Sequence, residues 1–211
     1  MENYGIAGII ATAEEAHAFM QKYLSVIPPS IYRPLEILFL GGGPPVVIKE
    51  KDLDQMQQEL ADKTFQMDLL SKTTSLNNKG SELERNGNIG AAIESYEECI
   101  KLQYPARFSY ERLMVLYRKA KQYDDEMRVI DIAIQLFSIE NCRRYKIAVA
   151  NTKNEKYLSC LEAAYKANVK LKNDEGWYIY NPYDVGLWKK RRIKAAMLKS
   201  NTEAQKQKET L

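Results

Sequence analysis

Residues 76–100 read LNNKGSELERNGNIGAAIESYEECI, and residues 110–134 read YERLMVLYRKAKQYDDEMRVIDIAI. Laid over one another at a spacing of 34, Leu76, Leu83, Ala92, Tyr96 and Cys99 fall on Tyr110, Tyr117, Glu126, Ile130 and Ala133. A period of 34 with large and small residues at fixed offsets is the mark of stacked helical hairpins. One such hairpin cannot bury its apolar face alone, so it needs a neighbour on each side or a cap.

The residues between the matched positions agree. Small residues (Gly80, Ala92, Ala148, Cys160, Ala167) let the two helices of a hairpin approach, while Leu83, Tyr96, Tyr117 and Ile130 fill the space between hairpins. Asn86-Gly87 breaks the first helix and Asn88 can cap the second. In the next unit Lys121-Gln122-Tyr123-Asp124 makes the turn, and Asp124 or Asp125 favours the new helix N-terminus. A third, degenerate unit follows on Arg144, Ile147-Ala148, Asn151, Cys160, Ala164 and Ala167.

Position by position the array resembles the tetratricopeptide repeat family, with units at 73–106, 107–140 and a degenerate 141–174. The resemblance implies an all-α fold of antiparallel hairpins stacked in a right-handed solenoid, with the first helix of each hairpin lining a concave groove. It also implies a bacterial or phage adaptor or regulator that grips a protein or peptide partner there. The groove-facing positions carried over include Asn77 and Arg85 in the first unit and Phe108, Glu111, Val115, Arg118 and Lys119 in the second. The third contributes Tyr145 and Lys153. Arg85, Lys119 and Lys153 recur at one place in the unit and would form a basic row for an acidic or carboxylate-ended peptide. The plainer reading leaves these three side chains on solvated faces. Of the lysine and asparagine clamp used by chaperone-binding relatives, the chain has Asn77, Ser81, Arg112, Cys142 and Lys146 in place, only part of that chemistry.

Residues 51–175 are therefore expected to form the repeat domain, preceded by an extension at 1–50 and followed by a C-terminal segment at 176–211. In the extension, Thr12 and Glu15 make a capping box before a helix with Ala16, Phe19, Met20, Tyr23 and Leu24 on one face. Pro28-Pro29 ends that helix. The run Leu35–Leu40 fits a short strand or a buried helical turn equally. Gly41-Gly42-Gly43-Pro44-Pro45 lacks the Gly-Lys-Ser/Thr of a phosphate loop and reads as a rigid turn, with room for a short hairpin. Asp52 and Gln55 can cap a helix striped by Leu53, Met56, Leu60, Met67 and Leu70, which is expected to pack on the array and shield its first unit.

The C-terminal segment opens with the aromatic run Trp177–Tyr183 and continues into a helix carrying Lys189-Lys190-Arg191-Arg192 and Lys194. Aromatics beside cations suit a single-strand nucleic-acid binder, the alternative function. The preferred reading is a cap on the exposed end of the array, its charged face in water. Ser200 to Leu211 are polar and expected to fray.

Composition points away from several other classes. At 45% hydrophobic and 28% charged, with 31 Lys+Arg against 28 Asp+Glu, the chain reads as globular and too mildly basic overall to imply nucleic acid by itself. Cys99, Cys142 and Cys160 are odd in number and form no CxxC pair, as suits a reducing compartment. The start MENYGIAGIIA has no basic leader, and the longest apolar run, 34–45, is too short to span a bilayer, so a cytoplasmic protein is expected. His17, the single histidine, lies among Ala16, Ala18 and Phe19, and Glu94, Glu97 and Glu98 read as solvated helical acids. No metal or cofactor signature is present in the sequence, and a binder rather than an enzyme is expected, with self-association of an open solenoid end as a further expectation.

Overall fold

A computed structural model describes residues 6–209; residues 1–5, 210 and 211 lie outside the described residues. The described chain is mostly helical, with eight helices and two small two-stranded sheets. It divides into two compact units, one ending at Ser71 and the other beginning at Lys72. Among the described residues no helix is long and apolar enough to cross a membrane.

In the first unit β1 (Ile6–Ile10) pairs antiparallel with β2 (Val46–Lys49), Ile9 opposite Val47 and Ile10 opposite Val46. Two helices separate these strands, so the pair is not the expected hairpin. Thr12 and Glu15 form the capping box that starts α1 (Ala13–Tyr23). Pro28 and Pro29 do more than stop α1: they are the N-cap and first residue of α2 (Pro29–Phe39), where a missing N–H costs nothing. The run 35–40 is thus mostly helical, with Leu35 and Leu38 buried. Gly41 ends α2 at φ +86° and leads into the glycine-proline turn.

Next comes α3, a single helix of 36 residues from Glu50 to Arg85. Its stripe Leu53, Met56 and Leu60 closes the core of the first unit over Ala16, Tyr23 and Leu35. Residues 61–68 are exposed, as are Met67 and Leu70. This N-terminal stripe builds the core of the first unit.

In the second unit, residues 72–85 of α3 and α4 (Ile89–Lys101) form the first hairpin, turned at Gly87 with φ +77°. Asn88 Oδ1 accepts from the Ala91 amide at 3.3 Å as the expected cap. The helices touch where Gly80 faces Tyr96; a Cβ on Gly80 would sit 2.5 Å from the ring. The second hairpin is α5 (Arg107–Lys119) with the start of α6 (Tyr123–Asn151), whose first turn carries Asp124, Asp125 and Glu126. Tyr96, Tyr110, Leu113, Met114, Ile130, Ala133 and Phe137 form their common core.

Beyond Phe137 the expectation fails. The unit boundary placed between residues 140 and 141 falls inside α6, which runs unbroken for 29 residues. No glycine or proline interrupts this segment, and Glu140 pairs with Arg143 at 2.7 Å and Arg144 at 3.0 Å along the helix surface. The first helix of the expected third unit is a continuation of α6, not a new helix turned back beside it. Only α7 (Glu155–Ala167) folds back, capped by Asn154 and stopped by Asn168 at φ 52°, to bury Leu161 and Ala164 with Ala148 and Tyr180.

The side of α6 left open is taken by α8 (Val185–Glu209), which follows a short pair of strands, β3 (Leu171–Lys172) and β4 (Tyr178–Tyr180). Trp188 packs 4.8 Å from Phe137, Arg192 reaches Asp131 at 2.5 Å and Lys199 reaches Asp124 at 2.6 Å, so α8 runs antiparallel to α6. Buried Asn141 fixes the entry: its Oδ1 accepts from the Tyr183 amide at 2.7 Å, and its Nδ2 donates to the Tyr183 carbonyl and to Asn168. The helix continues past Ser200 to Glu209 instead of fraying there.

Candidate interaction groove

Helical spacing puts Phe108, Glu111, Arg112 and Val115 on one side of α5. Leu187, Trp188 and Arg191 of α8 face them across a concavity of about 590 Å³. Its walls are apolar: Phe108 is 45% exposed with its ring edge toward Tyr96, and Leu187 is 60% exposed above buried Trp188. Its charged groups are held in place. Glu111 pairs with Arg107 at 2.6 Å, and Arg112 pairs with Glu84, which also accepts from the Tyr96 hydroxyl. The hydrogen bond to Glu84 raises the Arg112 pKa further above its ordinary value, so the guanidinium stays charged.

Beneath the rim lies Glu126, fully buried. Arg191 Nε donates to its Oε1 at 2.8 Å and Arg118 Nε to its Oε2 at 2.9 Å, while Arg118 also donates to the Arg191 carbonyl at 3.3 Å. Two guanidiniums share one carboxylate, leaving one positive charge in excess beside the groove.

Of the residues expected in the groove, Phe108 and Glu111 line it, and Arg118 is drawn inward to Glu126. Asn77 is a structural residue: its Oδ1 accepts from Ser109 at 2.6 Å and from Cys99 at 3.6 Å. Burial pushes the Cys99 thiol up, which makes it a poor nucleophile. Tyr145 stacks on Tyr165 at 4.5 Å in the α6–α7 core. Arg85 and Lys119 are exposed at the ends of α3 and α5. The basic row does not form, because Lys119 precedes α6 and Lys153 follows it. A helix of 29 residues separates its ends by roughly 43 Å.

Leu187, Trp188 and Arg191 were missed as groove residues. They come from more than 60 residues away in sequence, and the one sign of them is Glu126, a charged residue at the offset where the first hairpin has Ala92. Compared with protein-family models, with curated proteins and with solved structures, the chain gives no match.

Proposed function

We propose that the second unit is a tetratricopeptide-like interaction module of two hairpins, closed by α8 where the first helix of a third unit would stand. The groove between α5 and α8 then holds a segment of a protein partner. The observation that carries this reading is the set of apolar side chains, exposed Phe108 and Leu187 with half-buried Val115, around a concavity of about 590 Å³ with fixed charges at its rim. Apolar walls with a few convergent polar groups are the usual make-up of a recognition site. The role is binding, as an adaptor or regulator, rather than catalysis. Three free cysteines support a reducing compartment such as the cytoplasm.

The test is affinity purification with mass spectrometry of wild type, Val115→Asp, Leu187→Asp and, as a control outside the groove, Lys79→Glu. Circular dichroism confirms that each is folded. The reading expects proteins captured by wild type and Lys79→Glu but lost from both groove variants. Retention of the same proteins by both groove variants refutes it.

A further inference from the structure

Charge is divided unevenly along this chain. Residues 1–140 carry 15 Lys+Arg against 21 Asp+Glu, whereas residues 141–211 carry 16 against 7. The near-neutral total thus hides a cationic C-terminal third with a surplus of nine positive charges, and such asymmetry is a feature of chains that meet polyanions. The structure sorts these cations into two sets. Arg191, Arg192 and Lys199 pair with Glu126, Asp131 and Asp124 of α6 and hold α8 in place. Lys189, Lys190 and Lys194 lie on the side of α8 turned away from Trp188 and are exposed.

A second feature is the hairpin between α7 and α8, where Tyr178 borders Ile147 and Asn151 of α6. The β3–β4 hairpin presents Trp177, 72% exposed, next to Tyr178, 49% exposed. The backbone beneath Trp177 is fixed by the turn: its amide donates to Asn173 Oδ1 at 2.8 Å, its carbonyl accepts from the Asn173 amide, and Gly176 takes φ +88°. Lys172 Nζ lies 4.5 Å and Lys170 Nζ 5.5 Å from the centre of the Tyr178 ring. The end of α7 leading to these lysines and the start of α8 share one cleft, lined by Lys166, Asn168 and Lys189 and by the acidic Asp184. Asp174 and Glu175 in the turn before Trp177 are acidic and would repel a phosphate.

We propose that this surface binds single-stranded nucleic acid. Bases stack on Trp177 and Tyr178, and phosphates run along Lys170, Lys172 and the outward lysines of α8. Exposed rings can engage bases only when those bases are free of a partner strand, and sequence-tolerant stacking beside cations is how such strands are held. The proposal is independent of the protein-binding groove, which uses α5 and a different set of α8 residues. It also differs from a reading of the Lys189–Arg192 run as a single basic patch, since Arg191 and Arg192 are internal ties.

The test uses the full chain and fluorescein-labelled oligothymidylate of ~20 nucleotides, followed by anisotropy from about 50 mM salt upward. Binding is expected to weaken by about tenfold or more in Trp177→Ala/Tyr178→Ala. Trp177→Phe should retain most of the affinity. In Lys189→Gln/Lys190→Gln/Lys194→Gln the slope of log affinity against log salt should shrink by about 2. Binding should quench tryptophan emission in Trp188→Phe but not in Trp177→Phe. The proposal is overturned if the oligonucleotide does not bind at low salt. It is equally overturned if a duplex of the same length binds as tightly, if the aromatic double variant is unaffected, or if phosphatidylserine vesicles are bound and the oligonucleotide is not.

Discussion

Replacing Glu126 by alanine is expected to be among the most damaging single changes in the second unit, although alanine is what the first hairpin carries at the same offset. The Glu126 carboxylate is wholly buried, and the side chains of Arg118 and Arg191 are 26% and 25% exposed. Removing it leaves two guanidiniums facing each other across a gap. Breaking a buried ion pair by deleting one partner costs about 3–5 kcal/mol. Water can reach part of each arginine here, so about 3 kcal/mol is the expected loss. For a protein of this size that lowers the melting temperature by roughly 6–12 °C.

The assay is urea unfolding followed by tryptophan emission in a Trp177→Phe background. There Trp188, buried between α6 and α8, is the sole reporter. The midpoint should fall with little change in slope. The combined variant Arg118→Met/Glu126→Leu/Arg191→Met should recover most of the loss, since an apolar set of similar volume removes the orphaned charges. A Glu126→Ala loss below about 1 kcal/mol, or no recovery in the triple variant, would falsify the claim that this charge cluster fastens α8.

Gly80→Ala should destabilise by about 1 kcal/mol, because overpacking against Tyr96 outweighs the gain in helix propensity; in the same urea assay Gly90→Ala, with open space around it, should be neutral or stabilising. Asn141→Ala should cost about 1–3 kcal/mol by leaving the Tyr183 amide without its acceptor, while the Tyr183 carbonyl keeps the Asn168 side-chain amide, seen as faster hydrogen exchange at Tyr183. Burial, with Tyr165 and Cys142 nearby, pushes the Tyr180 pKa up to about 12. The folded pKa lies above the unfolded one, so stability is complete below pH 10 and declines as pH rises toward 12; an alkaline titration of Tyr180→Phe should show a shallower decline.

Which parts of this fold could be read beforehand follows the range of the forces involved. The two hairpins rest on local sterics: Gly80 against Tyr96, the Asn88 cap, the acidic first turn of α6 at Asp124. Each leaves a mark within a few residues of where it acts. The continuity of α6 left a weaker mark, the lack of any breaker from Phe137 to Asn151, which a 34-residue template overrode. The seat of α8 rests on pairs such as Arg191–Glu126 and Lys199–Asp124, 65 and 75 residues apart, and sequence periodicity carries no information at that range. The candidate groove divides the same way. Phe108 and Glu111 follow from the face of one helix, whereas Lys153 depends on a break after residue 140 that α6 runs straight through.

The substitution of a distant helix for a third hairpin also changes what kind of groove this is. A further hairpin would have offered another pair of helices and left a new apolar end in need of cover. The helix α8 instead seals Phe137 with Trp188 and brings Arg191 to the groove edge in the same step. Glu126 couples the two outcomes, because the arginine it fixes is both a fastening of α8 and a wall of the groove. Stability and recognition should consequently separate in Glu126→Gln, which keeps hydrogen-bonding capacity at this place but drops the charge. If Arg191 is held by shape and hydrogen bonding, partner capture should survive while stability falls. If the carboxylate's charge positions it, both should fall together, and the groove is then an electrostatic construction of the α6–α8 contact.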